Sequence, residues 1–251
     1  MSHNGFRFLC LGVGDAFSAR WYGSSLALHA EGQWLLLDCP HPIHKVILEA
    51  ADSSGIPLTA EDLSGLLLTH LHADHASGIE GLAFKTYFYY RRKLPILCHP
   101  LVAERLWENH LAAGMDRLLP SADSTPLRKT LDDFITVHAL DESTAVEFGP
   151  FGIECRRTIH HIPTFAMRIR AAGRTLGWSS DTTYDPSLID WLTPSDLIIH
   201  ETNVGLHTPY EDLAALPEEL RLRMRLVHYP DDFDTEGSVI EPLVPGRMYD
   251  V

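Results

Sequence analysis

Basic side chains are scarce in this chain: 20 lysines and arginines stand against 34 aspartates and glutamates, for a formal net charge of −14. An acidic surface repels polyphosphate, so a long nucleic acid is not an expected partner unless the cations cluster. Two groups come near to clustering, Arg91-Arg92-Lys93 and the alternating Arg221, Arg223 and Arg225, and both read as solvated helix faces. Cysteine is sparse as well. Cys10, Cys39, Cys98 and Cys155 lie far apart with no CxxC pair, three of them in apolar, strand-like runs where a thiol serves as a small buried hydrophobe; the simplest inference is a reduced compartment. No apolar stretch approaches the length of a bilayer span. The opening segment is interrupted by Gly12, Gly14 and Asp15, and its first cation, Arg7, falls inside the apolar pattern. It reads as a first strand entering a glycine turn rather than as a secretory leader. The expectation is a soluble, cytoplasmic protein with no membrane association.

The length of 251 residues and a hydrophobic content of 45% suit one full-sized core, and no repeat or linker divides the chain, so residues 1–251 are expected to form a single domain. Short apolar runs at Phe6–Leu11, Ser24–Ala30, Gln33–Leu37, Leu66–Thr69 and Leu94–Cys98 read as strands. Helical spacing is expected at Ile43–Ala51, Ser77–Arg92 and Leu101–Ala113, and the polar stretch Ser121–Thr130 as a loop. The second half repeats the style, with strands at Phe134–Ala139, Ala145–Phe148, Gly152–Thr158, Ala166–Ala171, Thr175–Ser179 and Asp196–His200. A helix over Glu211–Arg223, a last inner strand at Leu226–His228 and a closing strand at Glu241–Tyr249 complete the reading. Two blocks of strands with helices appended imply an α/β sandwich in layers rather than a doubly wound sheet.

What the chain does have is histidine, fifteen in all. Thr69-His70-Leu71-His72-Ala73-Asp74-His75 places three imidazoles and a carboxylate in six residues after an apolar strand. A regular helix or strand cannot aim all four the same way, but a loop leaving a strand end can direct them at two adjacent cations. Imidazole nitrogen and carboxylate oxygen suit Zn²⁺, and also Mn²⁺ or Fe²⁺.

The HxHxDH run resembles the signature of the metallo-β-lactamase fold superfamily, and within it the ribonuclease Z-like phosphodiesterases. The resemblance extends along the chain, through Leu11-Gly12-Val13-Gly14, the strand end Leu35-Leu36-Leu37-Asp38-Cys39, the segment His160 to Arg168, Ser179-Ser180-Asp181-Thr182 and Leu226-Val227-His228. It implies a four-layer αβ/βα sandwich. It further implies one metal at His70, His72, His160 and Asp181, and a second at Asp74, His75, His228 and the shared, bridging Asp181. A hydroxide held between the ions would be the nucleophile, with Asp74 counted among the catalytic groups as well as the ligands. Asp196 to Thr202 and Leu206-His207-Thr208 are similar to the family's proton-transfer segments, so His207 is expected to protonate the leaving oxygen with Glu201 as its partner. Relatives of this fold are often dimers, which makes a homodimer an implication of the resemblance.

Other histidines carry blander readings. His41 and His44 could line the pocket but, with Pro40 and Pro42 in the same segment, suit turn packing; His200 suits a structural place closing its strand while its closeness to the site keeps it a candidate, and His161 a supporting place beside a ligand. His99, His110 and His138 read as satisfied or exposed. Trp21, Tyr22 and Phe165 could wall a pocket for a base or acyl group, although aromatic residues more often serve the core.

The sequence also departs from ribonuclease Z. Asp181 follows His160 by only twenty-one positions, which leaves no room for the arm that holds tRNA, and the turn after Asp38 lacks that family's glycines and glutamate. The expected substrate is therefore a small or cyclic phosphate diester. The alternative is a carboxylic ester, lactone or amide on the same two-metal centre. A tRNA 3′-processing endonuclease is disfavoured by the missing arm, and a non-catalytic metal-binding sensor by the presence of every ligand and both proton-transfer groups. Arg168 near the metals would favour phosphorus.

Overall fold

A computed structural model describes residues 5–251. Fifteen strands are present among them: β1 Arg7–Gly12, β2 Ser25–Ala30, β3 Gln33–Leu37, β4 Leu63–Leu67, β5 Leu94–Cys98, β6 Arg117–Leu118, β7 Leu127–Arg128, β8 Ile135–Ala139, β9 Val146–Phe148, β10 Phe151–Arg157, β11 Phe165–Ala171, β12 Arg174–Trp178, β13 Leu197–Glu201, β14 Met224–Val227 and β15 Met248–Asp250. Seven form one sheet in the order β15-β1-β2-β3-β4-β5-β8, six form a second in the order β14-β13-β12-β11-β10-β9, and β6 pairs with β7 alone. The buried apolar side chains make one continuous cluster, to which Phe6 and Phe151 contribute an edge-to-face contact at 6.1 Å. Strand β2 buries all six of its residues, Ser25 and His29 included, as a sheet covered on both faces requires.

Helices dress the sheets. Ile43–Ser54 buries Ile43, Val46, Ile47 and Ala50, the i, i+3, i+4, i+7 stripe of an amphipathic helix, and stops at Gly55 in a left-handed cap. On the second sheet Pro186–Leu192 starts at Asp185, whose side chain accepts from the Ser187 N–H, with Pro186 in the first turn. This helix was not expected from the sequence, although an Asp-Pro pair ahead of an apolar run is a start signal.

Several expected elements are redrawn. Glu211–Arg223 is two short helices, Tyr210–Ala214 and Glu218–Arg221, because Pro217 cannot donate to a continuing helix. Pro242 and Pro245 likewise reduce the closing strand to Met248–Asp250. Strand β14 ends at Val227 and lies at a sheet edge, so it is not an inner strand and His228 stands just beyond it. Leu101–Ala113 runs from Pro100 through a π-helical turn at Trp107–Leu111. The loop expected at Ser121–Thr130 contains the short strand β7. The arginines at 221–225 are not a free cationic face: Arg223 donates to the carbonyls of Thr193 and Ser195, and Arg225 pairs with Glu241.

Strands β3, β4, β5 and β8 are parallel to one another in the first sheet, as are β12, β13 and β14 in the second. Parallel strands deliver their carboxyl ends to one rim, where open α/β sheets place ligands. The segments beginning at Asp38, Thr69, Ser179, Thr202 and His228 all leave from such ends.

Candidate metal centre

The loop after β4 carries the HLHADH run. His72 precedes a one-turn helix, Ala73–Ala76, which turns Asp74 and His75 back towards His70. The structure brings the seven expected ligands into two groups. His70, His72, His160 and Asp181 form one, and Asp74, His75, Asp181 and His228 the other, with the donor atoms of each within 4.8 Å of one another. Asp181 stands between them. Its Oδ1 lies 3.2 Å from His75 Nε2, and its Oδ2 lies 3.6 Å from His70 Nε2, 3.6 Å from His160 Nε2 and 3.5 Å from His228 Nε2.

Hydrogen bonds fix the tautomers of two of these rings. Asp38 is wholly buried and accepts from the Thr69 backbone N–H and the Thr69 hydroxyl. With that hydroxyl proton committed, the Thr69 oxygen accepts from His70 Nδ1 at 2.9 Å. Asp38 Oδ2 accepts from His75 Nδ1, also at 2.9 Å. Both rings therefore turn Nε2, the nitrogen not engaged by these bonds, to the centre of the cage. The supporting role of Asp38 was missed in the sequence, where it served only to mark a strand end; the available signal was a carboxylate closing an apolar strand beside the histidine loop.

The backbone is strained where these groups are delivered. Asp38, Ser180 and His228 have φ of 57°, 52° and 61°, a left-handed conformation unusual for non-glycine residues and concentrated at functional sites. His228 is held there by its N–H to the Val13 carbonyl and by Asn203, whose Nδ2 donates to the His228 carbonyl and to Asp15.

The donor set fits a pair of divalent cations. His70 Nε2 and His75 Nε2 are buried and make no hydrogen bond, although Asp181 oxygens lie within 3.6 Å of both. Buried polar atoms are rarely left in that state, and a cation between nitrogen and oxygen satisfies both. The electrostatics point the same way. Burial opposes charge on Asp181, yet His228, His75 and His70 hold its carboxyl well below the usual range. Burial likewise opposes a proton on His228, but Asp181, Asp74 and Glu201 push its pKa up to about 9. The carboxylates recruit positive charge into a buried cage.

A second pair faces the same space. His207 Nδ1 donates to Glu201 Oε1 at 3.0 Å, and that oxygen also accepts from the Thr182 N–H. The His207 ring stacks on His228 at 5.0 Å and lies 5.2 Å from that of His160, so it touches a member of each ligand group. Burial opposes charge on His207, but the hydrogen bond and charge of Glu201, with Asp181 behind it, raise its pKa above the ordinary value.

His161 is exposed, with its ring 5.0 Å from that of His160. His200 is buried and donates from Nδ1 to the Glu201 carbonyl. His99 caps the helix at Pro100 and stacks on Phe165 at 4.0 Å, which puts Phe165 in the core. Arg168 is not a cation of this centre: it pairs with Glu154, and its guanidinium lies 4.5 Å from the Trp191 ring. Sequence spacing could not reveal this, because Glu154, its partner, lies opposite it on the neighbouring strand β10. Between His160 and Asp181, β11 and β12 are joined through Ala172 and Gly173 alone, and no arm is present. All four cysteines are buried and free, and among the described residues no helix is long and apolar enough to cross a membrane.

Comparison with known proteins agrees with this architecture. Among solved structures, YhfI from Bacillus subtilis superposes with a TM-score of 0.76 at 19% identity, covering 99% of this chain and 100% of its own. The short form of human tRNase Z gives 0.68 at 20% identity, covering 97% and 98%, and a diphosphatase of the PhnP family gives 0.72 at 14%, covering 98% of each. These likenesses show the metallo-β-lactamase fold. At the sequence level, an anti-Pycsar protein Apyc1 of Bacillus phage 010DV004 is 32% identical over 257 residues, covering 95% of this chain and 96% of its own. The namesake from Paenibacillus sp. (strain J14) is 30% identical over 243 residues, covering 91% of each. A family model described as anti-Pycsar protein Apyc1 matches residues 6–240, and the chain belongs to that family.

Proposed function

We propose that the protein is a dinuclear metal-dependent phosphodiesterase that opens a small cyclic phosphate diester, a cyclic nucleotide. The observation that carries this reading is the His207–Glu201 pair set against both ligand groups: a proton donor poised beside a cage built for cations. Membership in the Apyc1 family and the short β11–β12 turn, which leaves no arm for a large RNA, support a small substrate.

Two divalent cations, zinc in the first instance with manganese or ferrous iron as alternatives, would be held by His70, His72, His160 and Asp181 and by Asp74, His75, His228 and Asp181, and would supply Lewis acidity and an activated water. The chain's own residues do the rest. Asp38 and Thr69 lock the tautomers of His75 and His70. His207 Nδ1 is committed to Glu201, so Nε2 is its free nitrogen for handing a proton to the departing oxygen. Glu201 stabilises the imidazolium and fixes the ring, and the pair together contributes on the order of 10²–10⁴ in rate. The acidic surface disfavours longer polyanions.

The carbonyl alternative keeps a specific support, since Arg168 is engaged elsewhere and lends no charge to a phosphoryl group. Metal analysis, combined with assay of the purified protein on a cyclic nucleotide, bis(p-nitrophenyl) phosphate and a p-nitrophenyl ester, separates the two. Hydrolysis of the phosphate diesters with bound metal is the expected result. Robust cleavage of the ester with neither diester touched would overturn it.

A further inference from the structure

Beside the cage lies a cleft of about 540 Å³, within the range that holds small ligands. One wall is the segment from Asp15 to Tyr22, which sits between β1 and β2. The other is formed by Pro40, His41, Ala73, Asp74 and Ser77. Of the seven expected ligands Asp74 lines the cleft, and its Oδ2 is 3.0 Å from His228 Nε2. The two walls close tightly at their base: a Cβ on Gly23 would lie 2.4 Å from the Asp74 carbonyl oxygen, so only glycine lets the segment approach the ligand loop.

Trp21 lines this cleft and is 36% exposed. A large indole left in water beside a reaction centre calls for an explanation, and the segment carrying it is held firmly. Asp231, three residues beyond His228, accepts from the Ser18 hydroxyl and the Ala19 N–H, and its carbonyl accepts from Arg20. The Trp21 N–H donates to Ser18 Oγ, and the Tyr22 hydroxyl to Glu49. The Arg20 guanidinium lies 5.5 Å from the Trp21 ring centroid, within cation–π range. An aromatic surface fixed in this way loses little entropy when a planar group settles on it.

We propose that Trp21, backed by Arg20, is the platform on which the planar heteroaromatic base of the substrate stacks while its phosphate occupies the metal centre. This rests on the phosphodiesterase reading above and extends it to a specificity-determining residue. Stacking uses the π-face that every base possesses, so the platform selects for the presence of a base more than for its identity. Asp231 is its positioning residue, tying the platform to the strand end that delivers His228.

The test is calorimetric binding to the metal-loaded protein of two ligands that resist hydrolysis: a nucleoside 3′,5′-cyclic phosphorothioate, and the corresponding phosphorothioate of 1-O-methylribose, which has no base. For Trp21→Ala we expect about ten-fold weaker binding of the nucleotide, unchanged binding of the base-free ligand, and recovery of most of the affinity in Trp21→Phe. In turnover the same loss appears in KM with kcat preserved. Equal weakening for both ligands, no weakening for either, or wild-type protein that binds both alike would overturn the platform. Binding that depends on Trp21 without hydrolysis of any diester would instead remove the catalytic reading and leave the platform standing.

Discussion

Asp38 accepts a hydrogen bond from His75 Nδ1 at 2.9 Å with both side chains buried, so the orientation of one cage imidazole is set by a residue thirty-seven positions earlier, at the end of β3. Replacing Asp38 with Asn keeps the shape of that contact but removes its charge and lets either amide atom face the ring. Supporting residues of this kind are worth 10–100-fold in metal affinity or activity. Asp38→Asn is therefore expected to bind metal about ten-fold or more weakly, as measured by competition with a chromogenic chelator. Unchanged affinity would reduce Asp38 to a packing role.

Asp181 is the one carboxylate common to both ligand groups. In Asp181→Ala, bound metal measured by elemental analysis is expected to fall, and diester hydrolysis to fall by roughly 10³-fold or more, since metal-borne stabilisation of developing charge is worth several kcal/mol. His72→Ala should behave alike. Chelation of the wild-type protein should lower its melting temperature by mass action, and restored cation should recover it. Full activity in metal-stripped protein would dismiss the centre.

His207 lies outside the two ligand groups, so His207→Ala is expected to keep its metal while turnover drops ~10²–10⁴-fold. A pH profile refines this. Glu201 raises the His207 pKa, which keeps the ring protonated, and able to act as an acid, to a higher pH than an unassisted imidazole. Glu201→Gln removes that charge, so the alkaline limb of kcat against pH should move to lower pH. A limb that stays in place would assign it to another group.

A structural prediction concerns the turn between β11 and β12. Ala172 has φ of 47° and is followed by Gly173 at 76°, a pair that two-residue hairpins fill best with Asn-Gly. The left-handed conformation costs a residue with a β-carbon about 1–2 kcal/mol. Ala172→Gly or Ala172→Asn should therefore stabilise the protein by about 1 kcal/mol, read as a rise of about 2–4 °C in Tm, without change in kcat.

Much of this was legible in the residues because the chemistry is dense there. The HLHADH loop follows an apolar strand, and the three distant ligands, His160, Asp181 and His228, came from the resemblance to the ribonuclease Z-like phosphodiesterases. What escaped were features that depend on the third dimension. The hydrogen bond from His75 to Asp38 joins two loops that no local pattern connects. The face to which Arg168 points follows from the pairing of β11 with β10 and β12, and Glu154, its partner, comes from the neighbouring strand. Trp21 could not be told from a core aromatic because its exposure depends on how Asp231 draws the segment across the cleft. Phe165, equally aromatic, went to the core against His99. The breaks at Pro217 and Pro242, by contrast, were written in the sequence and outweigh the apolar pattern around them.

Both ligand groups and the His207–Glu201 pair stand at one rim of the sheets, which leaves the opposite rim remote from them. The hairpins at Glu31-Gly32 and Ala172-Gly173 turn there, pointing away from the cage. Epitopes, fluorophores or fused partners grafted at those two corners should leave the reaction untouched, and it is at those corners that the framework is free to vary.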